Sequence, residues 1–135
     1  MFKNNIFNFI LIFIIFLADR ISKLLVIKIS QPLDHLDLEI TSFLNFNLVW
    51  NNGIAFGFFS FDQNTYYNFL TSIIVLITLI IILFMLKGKG LEKLGFSMII
   101  GGSLGNLFDR VYYSSVIDFI DFHINNFHWF IFNVA

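Results

Sequence analysis

One segment of this sequence limits the possible folds more than any other. From Tyr66 to Leu86, "YYNFLTSIIVLITLIIILFML", 21 residues follow one another without a charge. An α-helix of this length, rising about 1.5 Å per residue, reaches roughly 31 Å, which is enough to cross the hydrocarbon core of a bilayer. The sequence therefore predicts a transmembrane helix here.

A second span is predicted for residues 6–29, although its second half carries charges, namely Asp19, Arg20, Lys23 and Lys28. Its first part could pass for a signal peptide, but the bulky Phe16 stands three residues before the cut at Ala18, where a small residue is required. We therefore expect an uncleaved first span.

A third span is predicted for residues 92–111. Its Ser97, Gly101 and Gly105 recur every four residues, so that small side chains line one face of the helix. Such a face lets a neighbouring helix approach closely in lipid, where packing drives association. We expect a mainly α-helical membrane protein with three spans, forming a single domain over residues 1–135.

The loops predict an orientation. Lys87, Lys89 and Lys93 flank the short connection between the last two spans, whereas residues 29–86 contain no Lys or Arg. Because short lysine-rich loops stay in the cytoplasm, the N-terminus should be cytoplasmic and the loop over residues 30–65 should lie outside.

The outer loop has a strand pattern of its own. Apolar residues alternate with mostly polar ones from Leu44 to Trp50, and "NNG" at Asn51–Gly53 is typical of a hairpin turn. A second short strand could follow over residues 54–59. The pattern predicts a small β-hairpin or sheet on the outer membrane surface.

Composition excludes several functions. The net charge of −1 offers no basic field for nucleic acid, and the absence of cysteine excludes disulfides and thiolate metal sites. His123 and His128 are five residues apart and would not share a helical face, so no metal site is expected. No organic cofactor is expected either.

The charged residues near the end of the third span are candidates for chemistry. Asp118 stands close to the edge of hydrocarbon, where desolvation favours a neutral carboxyl, and two such carboxyls sharing a proton could activate water. Asp121 could be its partner, or could lie on the solvated side of an amphipathic interfacial helix. Equally, Asp118 could simply cap a helix or face solvent.

Other polar residues could support such a site. Asn106, Asp109 and Arg110 share one helix face, where they could orient a polar site or simply satisfy one another. Asp19 and Lys23 are four residues apart, which favours mutual neutralisation.

Five blocks of this sequence, in this order, resemble the lipoprotein signal peptidase (signal peptidase II) family. They are "LADRISK", "NNGIAFG", "GGSLGNLFDR", "VIDFIDF" and the terminal "FNVA". The resemblance covers nearly the whole chain, from Ala18 to Ala135. The resemblance implies four transmembrane helices and an aspartic endopeptidase of the bacterial inner membrane. Such an enzyme removes signal peptides from diacylglyceryl-modified prolipoproteins at the outer face, among membrane lipids.

The resemblance also implies site residues. Asp118 matches the first catalytic aspartate, while the supporting positions are Asp19, Lys23, Asn51, Gly53, Ala55, Asn106, Asp109, Arg110 and Asn133. The second catalytic aspartate of the family directly follows F-N-x-A, so that it would follow Ala135, with the fourth span after it. Residues 1–135 are therefore expected to be inactive by themselves. The alternative is an inactive remnant, or a non-enzymatic membrane protein that binds lipid or a partner helix.

Overall fold

Three helices and four strands make up the part of the chain that the computed structural model describes, namely residues 2–31, 37–53, 64–125 and 127–135. The helices are α1 (Phe2–Ser30), α2 (Asn64–Lys87) and α3 (Gly90–Tyr113). The strands are β1 (Asp37–Thr41), β2 (Leu44–Asn51), β3 (Val116–Ile124) and β4 (Phe127–Phe132).

Helix α3 packs against both α1 and α2. On the α1 side, Ser97 Oγ donates a hydrogen bond of 3.0 Å to Asn8 Oδ1, and Gly101 lies directly against Ile15. On the α2 side, the hydroxyls of Thr78 and Ser103 are 2.6 Å apart. The predicted packing role of the small-residue face is confirmed, because small side chains let the two backbones approach.

The three helices cover the three predicted spans, but they differ in apolar character. Within the described residues, one helix, Tyr67–Lys87, is long and apolar enough to cross a membrane by length and composition. The charged residues of α1 and α3 lower their hydropathy. Large apolar side chains nevertheless face outwards along all three helices, as at Phe13, Leu76 and Ile99. Contiguous exposed apolar surface of this kind suits lipid contact.

The strands form one antiparallel sheet in the order β1-β2-β3-β4. The strand predicted from Leu44 to Trp50 is confirmed as β2. Its predicted partner over residues 54–59 lies outside the described residues, and β2 pairs instead with β1 and β3.

The interfacial helix considered as one alternative for Asp121 is wrong, because "VIDFIDF" forms part of β3. β-branched and aromatic residues favour a strand, and the neighbouring strands supply the backbone hydrogen bonds. The acidic residues three apart suggest one helical face, but on a strand they point to opposite faces.

The sheet packs over the C-terminal half of α1. Val26 of α1 forms a buried cluster with Ile117 and Phe119 of β3, and Phe46 of β2 packs edge-to-face on Phe119. This contact fixes β3 over the ends of the helices. It thereby brings the polar residues of the sheet close to the charged residues of α1 and α3.

Candidate active site

A buried cluster of four charged side chains joins α1 to α3. Lys23 Nζ lies 2.8 Å from Asp19 Oδ1 and 2.6 Å from Asp109 Oδ2, while Arg20 contacts the same two carboxylates at 3.0 and 2.5 Å. Asp19, Lys23 and Asp109 are fully buried. Two positive and two negative charges thus balance each other inside the protein, as buried charges require.

Two backbone features hold this ion-pair cluster in place. Gly105 faces Asp19 so closely that a Cβ atom at this position would overlap the carboxylate. The backbone N–H of Ile117 in β3 donates a hydrogen bond of 3.3 Å to Asp109 Oδ2. The cluster therefore ties the sheet to both helices, and its carboxylates are engaged by cations.

Asp118 stands apart from this cluster and has a different environment. Its side chain is buried, and its two oxygens accept hydrogen bonds of 2.8 Å from Asn51 Nδ2 and 2.6 Å from Asn133 Nδ2. Asn51 ends β2, and Asn133 follows β4, so that the strands on both sides of β3 contribute one amide each.

The orientation of both amides follows from their other hydrogen bonds. Asn51 Oδ1 accepts from the backbone N–H of Gly53, and Asn133 Oδ1 accepts from that of Ala135, each at 2.8 Å. Because each oxygen is held by a backbone donor, each NH₂ group is left to face Asp118. The site thus presents two fixed donors to one carboxylate.

Asn106 connects the ion-pair cluster to Asp118. Its Oδ1 atom accepts a hydrogen bond of 2.9 Å from Lys23 Nζ and one of 3.1 Å from Asn133 Nδ2. One amide group is therefore shared by the cluster and by a donor to Asp118. A displacement of Lys23 would therefore shift the hydrogen bonds of Asp118 through Asn106 and Asn133.

Arg110 contacts Gly53, two residues after the end of β2. Its guanidinium donates to the carbonyl oxygen of Gly53 at 3.1 Å and to that of Asn106 at 3.4 Å. The Gly53 carbonyl is thereby drawn towards α3, while the Gly53 N–H orients Asn51. Arg110 thus positions one of the two amides that face Asp118.

A cavity of about 430 Å³ opens beside Asp118. Its polar wall consists of Asn51, Asn106, Arg110, Asp118 and Asn133. Its apolar wall consists of Val116, Phe130, Ile131, Phe132 and Ala135. A site with a few convergent polar groups and an apolar lining is the usual form of a binding pocket for a partly apolar ligand.

Burial raises the pKa of the Asp118 carboxyl above its ordinary value. The hydrogen bonds from Asn51 and Asn133, and the nearby charges of Lys23 and Arg110, act in the opposite direction, but burial has the largest effect. Because its pKa is raised, the Asp118 carboxyl can accept a proton from a water molecule in the cavity more readily than a solvated carboxylate can.

The structure brings together most of the residues that the sequence singled out. Asn51 and Asn133 donate to Asp118 directly, and Gly53 and Asn106 are each linked to it through one of these two amides. Arg110 contacts Gly53 and lines the same cavity. The other predicted positions fall in two places: Asp19, Lys23 and Asp109 form the adjoining ion-pair cluster, and Ala55 lies outside the described residues.

The positions of Arg20 and Asp121 in the structure differ from what the sequence predicted for them. Arg20 is absent from the predicted site residues, yet it bridges both carboxylates of the ion-pair cluster. The signal that could have found it is an arginine inside an apolar helix, which requires carboxylate partners. Asp121 does not line the described cavity beside Asp118, and its carboxylate instead contacts His128 at 2.8 Å.

Comparison with known proteins agrees with this arrangement. The family model described as signal peptidase (SPase) II matches residues 11–135. The chain belongs to the signal peptidase II family. Membership makes it a hydrolase of the protease class, and it confirms the resemblance seen in the five sequence blocks.

Relatives and solved structures match nearly the whole of this chain. The lipoprotein signal peptidase of Pelagibacter ubique (strain HTCC1062) is 46% identical over 133 residues, covering 98% of this chain and 80% of the relative. That of Francisella tularensis subsp. mediasiatica (strain FSC147) is 40% identical, covering 94% and 80%. A bacterial membrane enzyme structure solved by the in meso method at 2.3 Å resolution has a TM-score of 0.78 and 27% identity, covering 94% of this chain and 76% of that one.

Proposed function

We propose that this signal peptidase II family member removes signal peptides from diacylglyceryl-modified bacterial prolipoproteins as an aspartic endopeptidase. The observation that carries the proposal is Asp118, a buried carboxyl held by two fixed amide donors at the wall of a half-apolar cavity. The names of the relatives support the substrate class, since they are lipoprotein signal peptidases.

Asp118 supplies one of the two carboxyl groups that the reaction needs. As a carboxylate it takes a proton from water, and the oxygen of that water attacks the scissile carbonyl. A second, protonated carboxyl donates a hydrogen bond to the carbonyl oxygen, and a proton then passes to the leaving amine. Asn51 and Asn133 keep the Asp118 oxygens in place through these steps.

The second carboxyl is proposed to belong to the residue that directly follows Ala135. Among the described residues, Asp19 and Asp109 are engaged by Lys23 and Arg20, so neither is a free acid. Ala135 lines the same cavity as Asp118, and its N–H is bonded to Asn133. We therefore expect a side chain one position further along to begin at the wall of this cavity.

The membrane arrangement is part of the same proposal. We propose that α1, α2 and α3 all cross the bacterial inner membrane, with the N-terminus in the cytoplasm and Asp118 at the outer face. The lysines of the short connection between α2 and α3 support this orientation. The acyl chains of the substrate would then lie along the apolar helix surfaces, with its peptide in the cavity.

The test compares three purified polypeptides on a lipidated prolipoprotein. They are residues 1–135, an extended form in which these residues are followed by Asp and a fourth apolar helix, and the extended form carrying Asp118→Asn. We expect cleavage by the extended form alone, because loss of one acid or base group costs about 10²–10⁴-fold in rate. Glu39→Gln, which alters an exposed carboxylate of β1, is the matched control and should cleave normally. Cleavage by residues 1–135, or by the Asp118→Asn variant, would refute the dyad.

A further inference from the structure

A second group of ionisable side chains lies on the β3–β4 hairpin. His123 and His128 are direct partners in the antiparallel pairing of these strands, and Asp121 precedes His123 by two residues on β3. The pairing shifts between Asp121 and His123, where β3 advances by two residues and β4 by three, so the extra residue lies on β4. Residues two apart on β3, and the residue paired with His123 on β4, therefore point to one face of the sheet. The helical spacing that argued against a shared face for the histidines therefore does not apply.

The three side chains are already close to the geometry of metal ligands. His128 Nδ1 lies 2.8 Å from Asp121 Oδ2, and the two imidazole rings stack with centroids 5.0 Å apart. One ligand atom from each residue lies within 4.8 Å of the other two. Ligands of one zinc ion, at about 2.0–2.2 Å from it, are on the order of 3.3 Å apart. Small side-chain rotations would thus close the site.

Two buried polar atoms of this group have no hydrogen-bond partner in the described part of the chain. They are Asp121 Oδ1 and His123 Nδ1, and the Asp121 residue is only 1% exposed. An unpaired buried polar atom costs free energy, so the contact between Asp121 and His128 does not account for the whole arrangement. A cation between the three side chains would satisfy both atoms at once.

The charges around Asp121 also favour a bound cation. Asp19 and Asp109 are each paired with a lysine and an arginine, whereas the ion-pair partner of Asp121 in the described residues is His128, which is charged only when protonated. Two imidazoles and one carboxylate suit Zn²⁺ and similar transition-metal ions, whereas Ca²⁺ and Mg²⁺ prefer oxygen ligands.

From this geometry we propose that Asp121, His123 and His128 bind one divalent transition-metal ion of the Zn²⁺ class. Three protein ligands leave one coordination position for water. The site lies on the face of β3 opposite Asp118, so it is separate from the proposed dyad and does not depend on it. By joining β3 to β4, the ion would fasten the hairpin whose far end leads to Asn133.

The test is zinc titration of the protein in lipid nanodiscs, purified through an affinity tag that contains no histidine. Isothermal titration calorimetry with Zn²⁺ alone should show one ion per chain, and EDTA should remove it. Substitutions His123→Asn and His128→Gln should each weaken zinc binding by at least about tenfold. The third histidine of the chain, His35, provides the matched control, and His35→Asn should leave the zinc affinity unchanged.

Cobalt substitution gives a readout that is specific for the site. Co²⁺ bound to two imidazoles and a carboxylate should develop visible absorption bands, which His128→Gln should abolish. Because His128 is half exposed, this variant should keep the circular dichroism spectrum and elution volume of the parent. Absence of stoichiometric zinc, or an affinity in His128→Gln equal to that in His35→Asn, would overturn the proposal.

Discussion

Asn133 Nδ2 lies 2.6 Å from Asp118 Oδ1, so the segment that leaves β4 is bonded directly to the carboxyl group of β3. The oxygen of the same Asn133 amide accepts the N–H of Ala135. One side chain therefore contacts both Asp118 and the backbone of Ala135. In the proposed mechanism, the Asn133 amide therefore positions both Asp118 and the residue that precedes the second catalytic carboxyl.

We predict that Asn133→Ala in the extended form lowers kcat/KM by about 10- to 100-fold at neutral pH, since a hydrogen bond to a charged group contributes about 1.5–3 kcal/mol. Loss of this donor also raises the pKa of Asp118 further, so the rising limb of the pH profile should move to higher pH. Prolipoprotein cleavage across a pH series measures both effects. Asn68→Ala, on an exposed position of α2, is the control. An unchanged pH profile would contradict the role of Asn133.

Lys23 is predicted to be essential to the stability of the helix pair. Lys23→Met leaves two buried carboxylates with Arg20 as their cation, and breaking a buried ion pair in this way costs about 3–5 kcal/mol. Thermal unfolding in detergent should show the loss, whereas Lys28→Met on the exposed side of α1 should change little. Combining Lys23→Met with Asp109→Asn should recover part of the stability. If the double variant is less stable than Lys23→Met, the charge-balance explanation is wrong.

Two glycines of α3 offer a matched pair. A Cβ at Gly105 would overlap the Asp19 carboxylate, while a Cβ at Gly95 would have no atom within 4 Å. Gly105→Ala should therefore destabilise the protein by about 1–3 kcal/mol through overpacking. Gly95→Ala should stabilise it or leave it unchanged, because alanine favours a helix over glycine. Melting temperatures of the two variants test the difference, and equal shifts would contradict a close α1–α3 contact at Gly105.

The sequence predicts the features of this structure that depend on residues close together in the chain. The helices follow from long apolar runs, and β2 follows from local alternation between Leu44 and Trp50. The face formed by Ser97, Gly101 and Gly105 also follows from its spacing, since small residues four apart share a helix face. These are local signals, and the structure agrees with each of them.

The remaining features depend on contacts between distant segments. Asn51 and Asp118 are 67 residues apart, and no local pattern relates them. The sequence blocks shared with the family do identify both, which explains why the candidate site could be predicted better than the sheet. Strand β3 is not predicted, because two aspartates three residues apart are equally compatible with one face of a helix. The pairing of His123 with His128 depends on the register of β3 and β4, which no local pattern reveals.

The proposed orientation can be tested with single cysteines, because the chain has none of its own. A cysteine at Asp62 should react with a membrane-impermeant thiol reagent in whole cells, and one at Gly88 should react only after the membrane is opened. The expected difference follows from the lysine-rich connection at Gly88 and the lysine-free loop before α2. Labelling of intact cells at position 88, with protection at position 62, would reverse the proposed topology.

Asp118 should make the stability of the protein depend on pH. Burial raises its pKa in the folded state above the value in the unfolded chain. Its contribution to stability is therefore fully present below the unfolded pKa, and it is lost as the pH rises through the folded pKa. At neutral pH the buried carboxylate costs free energy, and Asp118→Asn removes this cost.

We accordingly expect Asp118→Asn to melt at a higher temperature than the parent at neutral pH, with the difference shrinking as the pH falls towards about 4, near the ordinary pKa of aspartate. Melting curves in detergent across this range provide the measurement. Glu39→Gln removes a carboxylate that is exposed on β1, and its difference from the parent should stay nearly constant with pH. A variant that melts below the parent at neutral pH would mean that the Asn51 and Asn133 hydrogen bonds outweigh burial, and that Asp118 is held as a stable carboxylate.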